Sequence, residues 1–134
     1  MPGSRNHTYL RTHEISGAIL RFQLPAEERR LREQAAAARS GRSGKTLIKE
    51  GRLRITDVAL KKGTVLHPPQ QAEGAISMQM RRGRMRVTTS SGAVDIGPGE
   101  LVVFDQEVSH SAQALSDCVV LITAAMSQDA AIVR

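Results

Sequence analysis

The sequence contains very few aromatic residues and only one cysteine. Aromatic side chains make up 2% of its 134 residues, tryptophan is absent, and Cys118 stands alone. We therefore expect a core of Leu, Ile, Val, Met and Ala, with few ring faces for stacking sugars or bases. A single cysteine excludes an intrachain disulfide framework and the cysteine-rich class of zinc sites. Cys118 lies in an apolar run and is interpreted as a buried strand residue.

Long hydrophobic runs are also missing. No segment approaches the ~18–20 apolar residues that a membrane-spanning helix needs. Arg21 interrupts the only candidate for the apolar part of a signal peptide. We therefore expect no membrane association and a cytoplasmic location.

Positive charge is concentrated in the first part of the chain. Residues 1–54 carry 12 basic and 5 acidic side chains, whereas residues 55–134 carry 7 and 8. A basic arm can bind nucleic acid. Here acidic residues are interleaved through the helical part of the arm, so we interpret it as a solvated face and expect no nucleic-acid partner.

The organisation of the chain changes near residue 46. Before it, the segment from Pro25 to Gly41 predicts a helix over roughly 26–39, because proline fits a first helical turn and glycine a helix end. After it come short strand-like runs separated by turn signals, at 53–60, 75–81, 84–89, 93–96, 101–104 and 118–124. Their even spacing, with no intervening helix, predicts an antiparallel sandwich or small barrel. We divide the chain into an N-terminal strand and helix extension (1–45), a β-barrel (46–126) and a C-terminal tail (127–134).

The glycine spacing and one histidine resemble the cupin family. The first cupin motif is a His-x-His pair followed by a glutamate and framed by glycines, and Gly63 and Gly83 stand at its two ends. In the second motif Gly99 stands at the position of the opening glycine, and His110 stands at the position of the histidine. The resemblance covers roughly residues 46–125 and is greatest to small single-domain bacterial cupins. It implies an all-β fold, a cupin-like jelly-roll β-barrel, with the helix in the N-terminal extension.

The metal-binding positions of the family are poorly matched in this chain. Pro69 and Gln71 stand where the two histidines would lie, and Ile76 stands at the glutamate. Proline and isoleucine cannot donate to a metal, and a neutral amide oxygen is a weak ligand. Only His110 survives, so we expect no tightly held transition metal and no cofactor. An alternative is a displaced divalent-metal site made of His67, Glu73 and His110.

The remaining side chains suggest a small-molecule site. Ile76, Met78 and Met80 alternate with polar residues and therefore share one face of a strand. With Phe104 they would line an apolar pocket, and the polar residues Gln70, Gln71 and His110 would lie at its mouth. We expect a small organic ligand to bind there, with His110 as the candidate catalytic residue should the protein be an enzyme.

Besides a less favoured third class, a nucleic-acid-associated protein that uses the basic N-terminal third, two functional classes remain open from the sequence. The first is a binding module that holds a small organic ligand without metal. The alternative is an enzyme of the isomerase, lyase or dioxygenase type, using His110 as a general base or as part of the displaced metal site. In both cases we expect a homodimer, because short barrels leave strand edges that need cover. The N-terminal strand or helix would cross the interface.

Overall fold

The computed structural model describes residues 19–67, 72–105 and 110–126. Within these ranges the chain forms one helix, α1 (Leu24–Ala37), followed by nine strands. The strands are β1 (Arg42–Glu50), β2 (Leu53–Leu60), β3 (Val65–Leu66), β4 (Ala72–Arg82), β5 (Met85–Thr89), β6 (Gly92–Ile96), β7 (Leu101–Asp105), β8 (His110–Ala114) and β9 (Cys118–Met126).

The strands pair into two antiparallel sheets that enclose one core. The first sheet has the order β1-β2-β9-β4-β7, and the second has the order β3-β8-β5-β6. Buried apolar side chains from both sheets form a single cluster. Neighbours such as β2 and β9 are far apart in sequence, as expected of a jelly roll and not of a chain of hairpins. The predicted all-β class with one N-terminal helix is confirmed.

Helix α1 packs on the outer face of the first sheet. Pro25 lies in its first turn, where the missing backbone N–H costs nothing. Leu31 and Ala35 are one turn apart and form a small buried cluster with Ala59 of β2 and Val119 of β9. No helix in the described part of the chain is long and apolar enough to cross a bilayer.

Charged side chains also join α1 to the sheet. Lys45 donates a 3.1 Å hydrogen bond to Glu27, and Arg81 donates a 2.8 Å hydrogen bond to Glu28. Beneath them lies Asp57, whose side chain is fully buried. Burial, and then the neighbouring Glu28 carboxylate, raise the pKa of Asp57 from its ordinary value of 3.8 to about 8. No described N–H or O–H group donates to its carboxyl oxygens, and a protonated Asp57 can donate a hydrogen bond to Glu28.

Element boundaries differ from the sequence-based expectation in a few places. The helix begins and ends two residues before the predicted 26–39. Strand β1 begins at Arg42 and so crosses the position where we divided the extension from the barrel. Residues 19–23 have no regular structure, and the rest of the predicted N-terminal strand lies outside the described residues, as does the tail 127–134. Strands β1, β3 and β8 lie outside the predicted strand runs. Strand β3 has only two residues, and β8, "HSAQA", has little strand preference of its own.

Candidate functional site

A cavity of about 260 Å³ lies along the inner face of β1 and β2. Five of its lining residues are polar or charged, and the others are apolar or glycine. The lining consists of Arg42, Gly44, Thr46, Arg54, Thr56, Val58, Leu66, His67, Ile122 and Ala124. Alternate residues of β1 and β2 point into the barrel, which explains why positions of even number recur in this lining. Its mixture of apolar and polar lining residues is typical of a small-molecule pocket.

Arg54 is the most constrained polar residue of this cavity. It lies in β2 between Lys49 of β1 and Ala124 of β9. Its Nε atom is buried and has no hydrogen-bond acceptor among the residues that the structure describes. Leaving a buried N–H without an acceptor costs about 1–3 kcal/mol. An acceptor supplied by a bound molecule would recover part of that free energy.

The middle and far end of the cavity are also polar. Thr46 and Thr56 are direct cross-strand partners on β1 and β2. Arg42, opposite Leu60, lies toward the other end of the strand pair and is exposed. His67 follows β3 and is exposed as well. The side chains that line the cavity therefore offer hydroxyl and N–H donors over much of its length.

The three apolar residues predicted to line the pocket are packed into the core. Ile76, Met78 and Met80 are 2%, 3% and 1% exposed and belong to the main buried cluster. They lie on the inward face of β4, and Gln79 on the opposite face is exposed. Ala124 pairs with both Ile76 and Arg54, so the cavity lies one strand away from Ile76. That a ligand contacts these three residues stays a prediction.

Phe104 and His110 come together at the side of the barrel where the two sheets meet. Phe104 pairs with Ile76 on β4 and packs against the core. His110 begins β8 in the other sheet. Their ring centroids are 3.9 Å apart with an interplanar angle of 62°, an edge-to-face contact. Gln70 and Gln71 lie outside the described residues.

The donor set does not fit the metal of the family. Ile76, which the sequence resemblance aligns with the glutamate, is a hydrocarbon side chain buried in the core. Pro69 and Gln71 lie outside the described residues, and neither is a strong ligand by its chemistry. Among the side chains that the structure describes, no three His, Cys, Asp or Glu residues come close enough together to hold a metal ion. For the alternative set, His67 follows β3, Glu73 belongs to β4 and His110 begins β8.

Cys118 is a core residue, as its apolar neighbours indicated. Its side chain is 1% exposed at the start of β9. Burial, with a smaller contribution from Asp117, raises the pKa of its thiol to about 11. The reactive thiolate is therefore scarce at neutral pH, as is typical of a buried structural cysteine.

The sequence reasoning did not identify Arg54, Thr46 or Thr56. Arg54 and Thr56 alternate with Ile55 and Asp57 in "RITD" and resemble the solvent face of a half-buried strand. Their inward direction follows from the position of α1, which covers the other face of β2. The sequence alone therefore carried no signal that Arg54 faces the inside of the barrel.

Comparisons with known proteins bear on the fold. No family model matches the chain, and no curated protein matches it. Solved structures do resemble it at low sequence identity. An RmlC-like cupin protein from Desulfovibrio desulfuricans is 18% identical with a TM-score of 0.58, and the match covers 84% of this chain and 97% of that one. This chain has the cupin fold.

Other proteins with a similar fold include one of unknown function and one enzyme. A conserved protein of unknown function from Streptococcus pyogenes is 16% identical with a TM-score of 0.62, over 86% of this chain and 93% of that one. Salicylate 1,2-dioxygenase from Pseudoaminobacter salicylatoxidans is 17% identical with a TM-score of 0.63, and the match spans 78% of this chain but 32% of that one. A shared fold does not fix a function, so the function has to be argued from the cavity.

Proposed function

We propose that this protein binds a small organic molecule inside its cupin barrel without a tightly held metal. The cavity along β1 and β2 supports the proposal, because it combines an apolar wall with a few polar groups that can orient a ligand. The apolar residue at the family's glutamate position, Ile76, supports binding without metal.

A cavity-filling variant provides the test. A β-carbon added at Gly44 would make ordinary contacts, the shortest being 3.4 Å to Val58, so a larger side chain there can enter the cavity with little strain. We expect Gly44→Leu to abolish binding of small fragments detected by ligand-observed NMR. Ala93→Leu, at an exposed site on β6 of the other sheet, is the matched control and should leave binding unchanged. Fragments that bind Gly44→Leu as well as they bind the native protein would refute a ligand site in this cavity.

A second candidate function is an enzyme of the isomerase, lyase or dioxygenase type. Two imidazoles favour it, since His67 lines the cavity and His110 lies against Phe104 near the inward face of β4. A neutral imidazole can accept a proton from a bound substrate. Chemical conversion of a fragment that binds the native protein, lost in His110→Gln or His67→Gln while binding persists, would support this candidate. Quantitative recovery of unchanged fragment would support the binding protein instead.

A further inference from the structure

We propose that the ligand of this cavity is an organic carboxylate, and that the guanidinium group of Arg54 binds its carboxylate. The inference rests on the proposed function, because it assigns a chemical class to the ligand of the same cavity. It does not depend on which hydrocarbon skeleton the ligand carries.

The charges around the cavity favour an anion. Arg42, Arg54 and His67 are its only ionisable lining residues, and neither Asp nor Glu lines it within the described part of the chain. Two permanent positive charges therefore face a small space that contains no counter-charge from its own wall. An anion is favoured in such a space, whereas a cation would be repelled.

The surroundings of Arg54 make it the anchor. Its Nε–H is buried and has no acceptor within the described ranges, while its neighbours across the strands, Lys49 and Ala124, offer no carboxylate. A guanidinium presents a planar fork of N–H donors that matches the two oxygens of a carboxylate. Arg42 is exposed, so solvent screens its charge, and we assign it the smaller share of the binding.

The rest of the lining suits the uncharged part of such a ligand. Val58, Ile122 and Ala124 form an apolar wall beside Arg54, and the paired Thr46 and Thr56 provide hydroxyl groups. Leu60 of β2 is the cross-strand partner of Arg42. It lies six residues from Arg54 along the same strand, which corresponds to about 20 Å. The cavity also extends from Arg54 along β2 toward Arg42, which leaves apolar and hydroxyl-bearing lining for the uncharged part of a carboxylate bound to Arg54.

The test compares matched acids and amides of the same shape. The probes are benzoate with benzamide and glutarate with glutaramide, whose dissociation constants are measured by NMR titration at low ionic strength. The native protein should bind each acid at least about tenfold more tightly than its amide, because only the acid pairs with the guanidinium. Arg54→Met should remove that preference. The control is Arg29→Met, which makes the same change in net charge at an exposed position of α1, outside the barrel. This variant should keep the preference for acids over amides.

The possible outcomes separate this inference from the proposed function. Amides that bind as tightly as acids, or a preference that survives Arg54→Met, would overturn the carboxylate assignment while leaving a small-molecule site in place. Failure of acids and amides alike to shift the resonances of Thr46, Thr56 and Ala124 would count against both. Should Arg54→Met not fold, Arg54→Lys keeps the charge but loses the fork. Arg54→Lys should weaken the binding of the acids more than the binding of the amides. An unchanged preference for the acids would contradict the assignment.

Discussion

The guanidinium of Arg81 on β4 donates a 2.8 Å hydrogen bond to the carboxylate of Glu28 on α1. This ion pair holds the helix over the outer face of the first sheet, directly above the buried Asp57. Burial, and then the neighbouring Glu28 carboxylate, raise the pKa of Asp57 to about 8. Asp57 therefore keeps its proton in the folded protein below about pH 8.

The first prediction concerns pH and Asp57. Its pKa is 3.8 in the unfolded chain and about 8 in the folded protein. Between these values the folded protein binds the extra proton, so the free energy of unfolding should fall as pH rises from about 4 to about 8. Protonated Asp57 makes its full contribution to the free energy of unfolding below about pH 4. This contribution is lost as pH rises through about 8, and above that pH the ionisation of Asp57 no longer changes the stability. Asp57→Asn cannot ionise, so its stability relative to the native protein should increase across this window.

Urea denaturation at several pH values measures that difference. Asp95→Asn is the matched control, because Arg86 lowers the pKa of Asp95 and this group stays ionised throughout the window. The stability difference between Asp95→Asn and the native protein should not vary from pH 5 to pH 8. If Asp57→Asn showed the same flat difference, Asp57 would be ionised in the folded state and our interpretation would be wrong.

The second prediction concerns the two glycines that resemble the ends of the first cupin motif. Both have positive φ angles, 91° at Gly63 and 77° at Gly83. A β-carbon at Gly63 would meet nothing within 4 Å, whereas at Gly83 it would overlap the Asp117 carbonyl oxygen and lie 2.7 Å from the β-carbon of Cys118. Gly63→Ala should cost about 1–2 kcal/mol from backbone strain alone. Gly83→Ala should lower the free energy of unfolding by at least ~2 kcal/mol more than Gly63→Ala does. Equal losses of stability for the two variants in chemical denaturation would contradict this prediction.

The third prediction compares the two faces of β4. Met78 is 3% exposed in the core, and Gln79 lies exposed on the opposite face. Met78→Lys would bury an unpaired charge and should lower the free energy of unfolding by about 3 kcal/mol or more. Gln79→Lys should change it by less than about 0.5 kcal/mol. A larger loss for Gln79→Lys, measured by thermal or urea unfolding, would mean that this face is the packed one.

The fourth prediction concerns the metal content. Since Ile76 replaces the glutamate and His110 alone keeps a ligand position, we expect purification without chelator to yield less than about a tenth of an equivalent of transition metal. Elemental analysis measures this directly. Near-stoichiometric iron, manganese, nickel or zinc, lost in His110→Ala or His67→Ala, would support the displaced metal site.

The fifth prediction concerns assembly. Strand β7 is the edge of the first sheet, and its side chains Leu101 and Val103 are 58% and 56% exposed. We expect a second copy to cover this apolar edge, so that the protein sediments as a homodimer at tens of micromolar. Val103→Lys should shift it toward monomer, while Val94→Lys, on the edge of the other sheet, should not. A native protein that sediments as a monomer would contradict the prediction.

The sequence by itself determined the fold class and the inward face of β4. The alternation of Ile76, Met78 and Met80 with polar residues reflects the two-residue period of a strand, which is a local property and is visible in the chain. Turn-forming glycines and prolines likewise mark where strands end. These local signals, together with the resemblance of Gly63, Gly83 and His110 to a motif, were enough to predict a cupin-like barrel.

Tertiary structure alone decided which polar residues are enclosed. In β2 the alternation separates Arg54 and Thr56 from Ile55 and Asp57, but it does not tell which set faces the core. Helix α1 covers one face and the second sheet covers the other, so Asp57 is buried with its proton and Arg54 lines a cavity. These outcomes depend on contacts between segments far apart in sequence, such as Glu28 with Arg81, and the free energy of such contacts is absent from any local pattern.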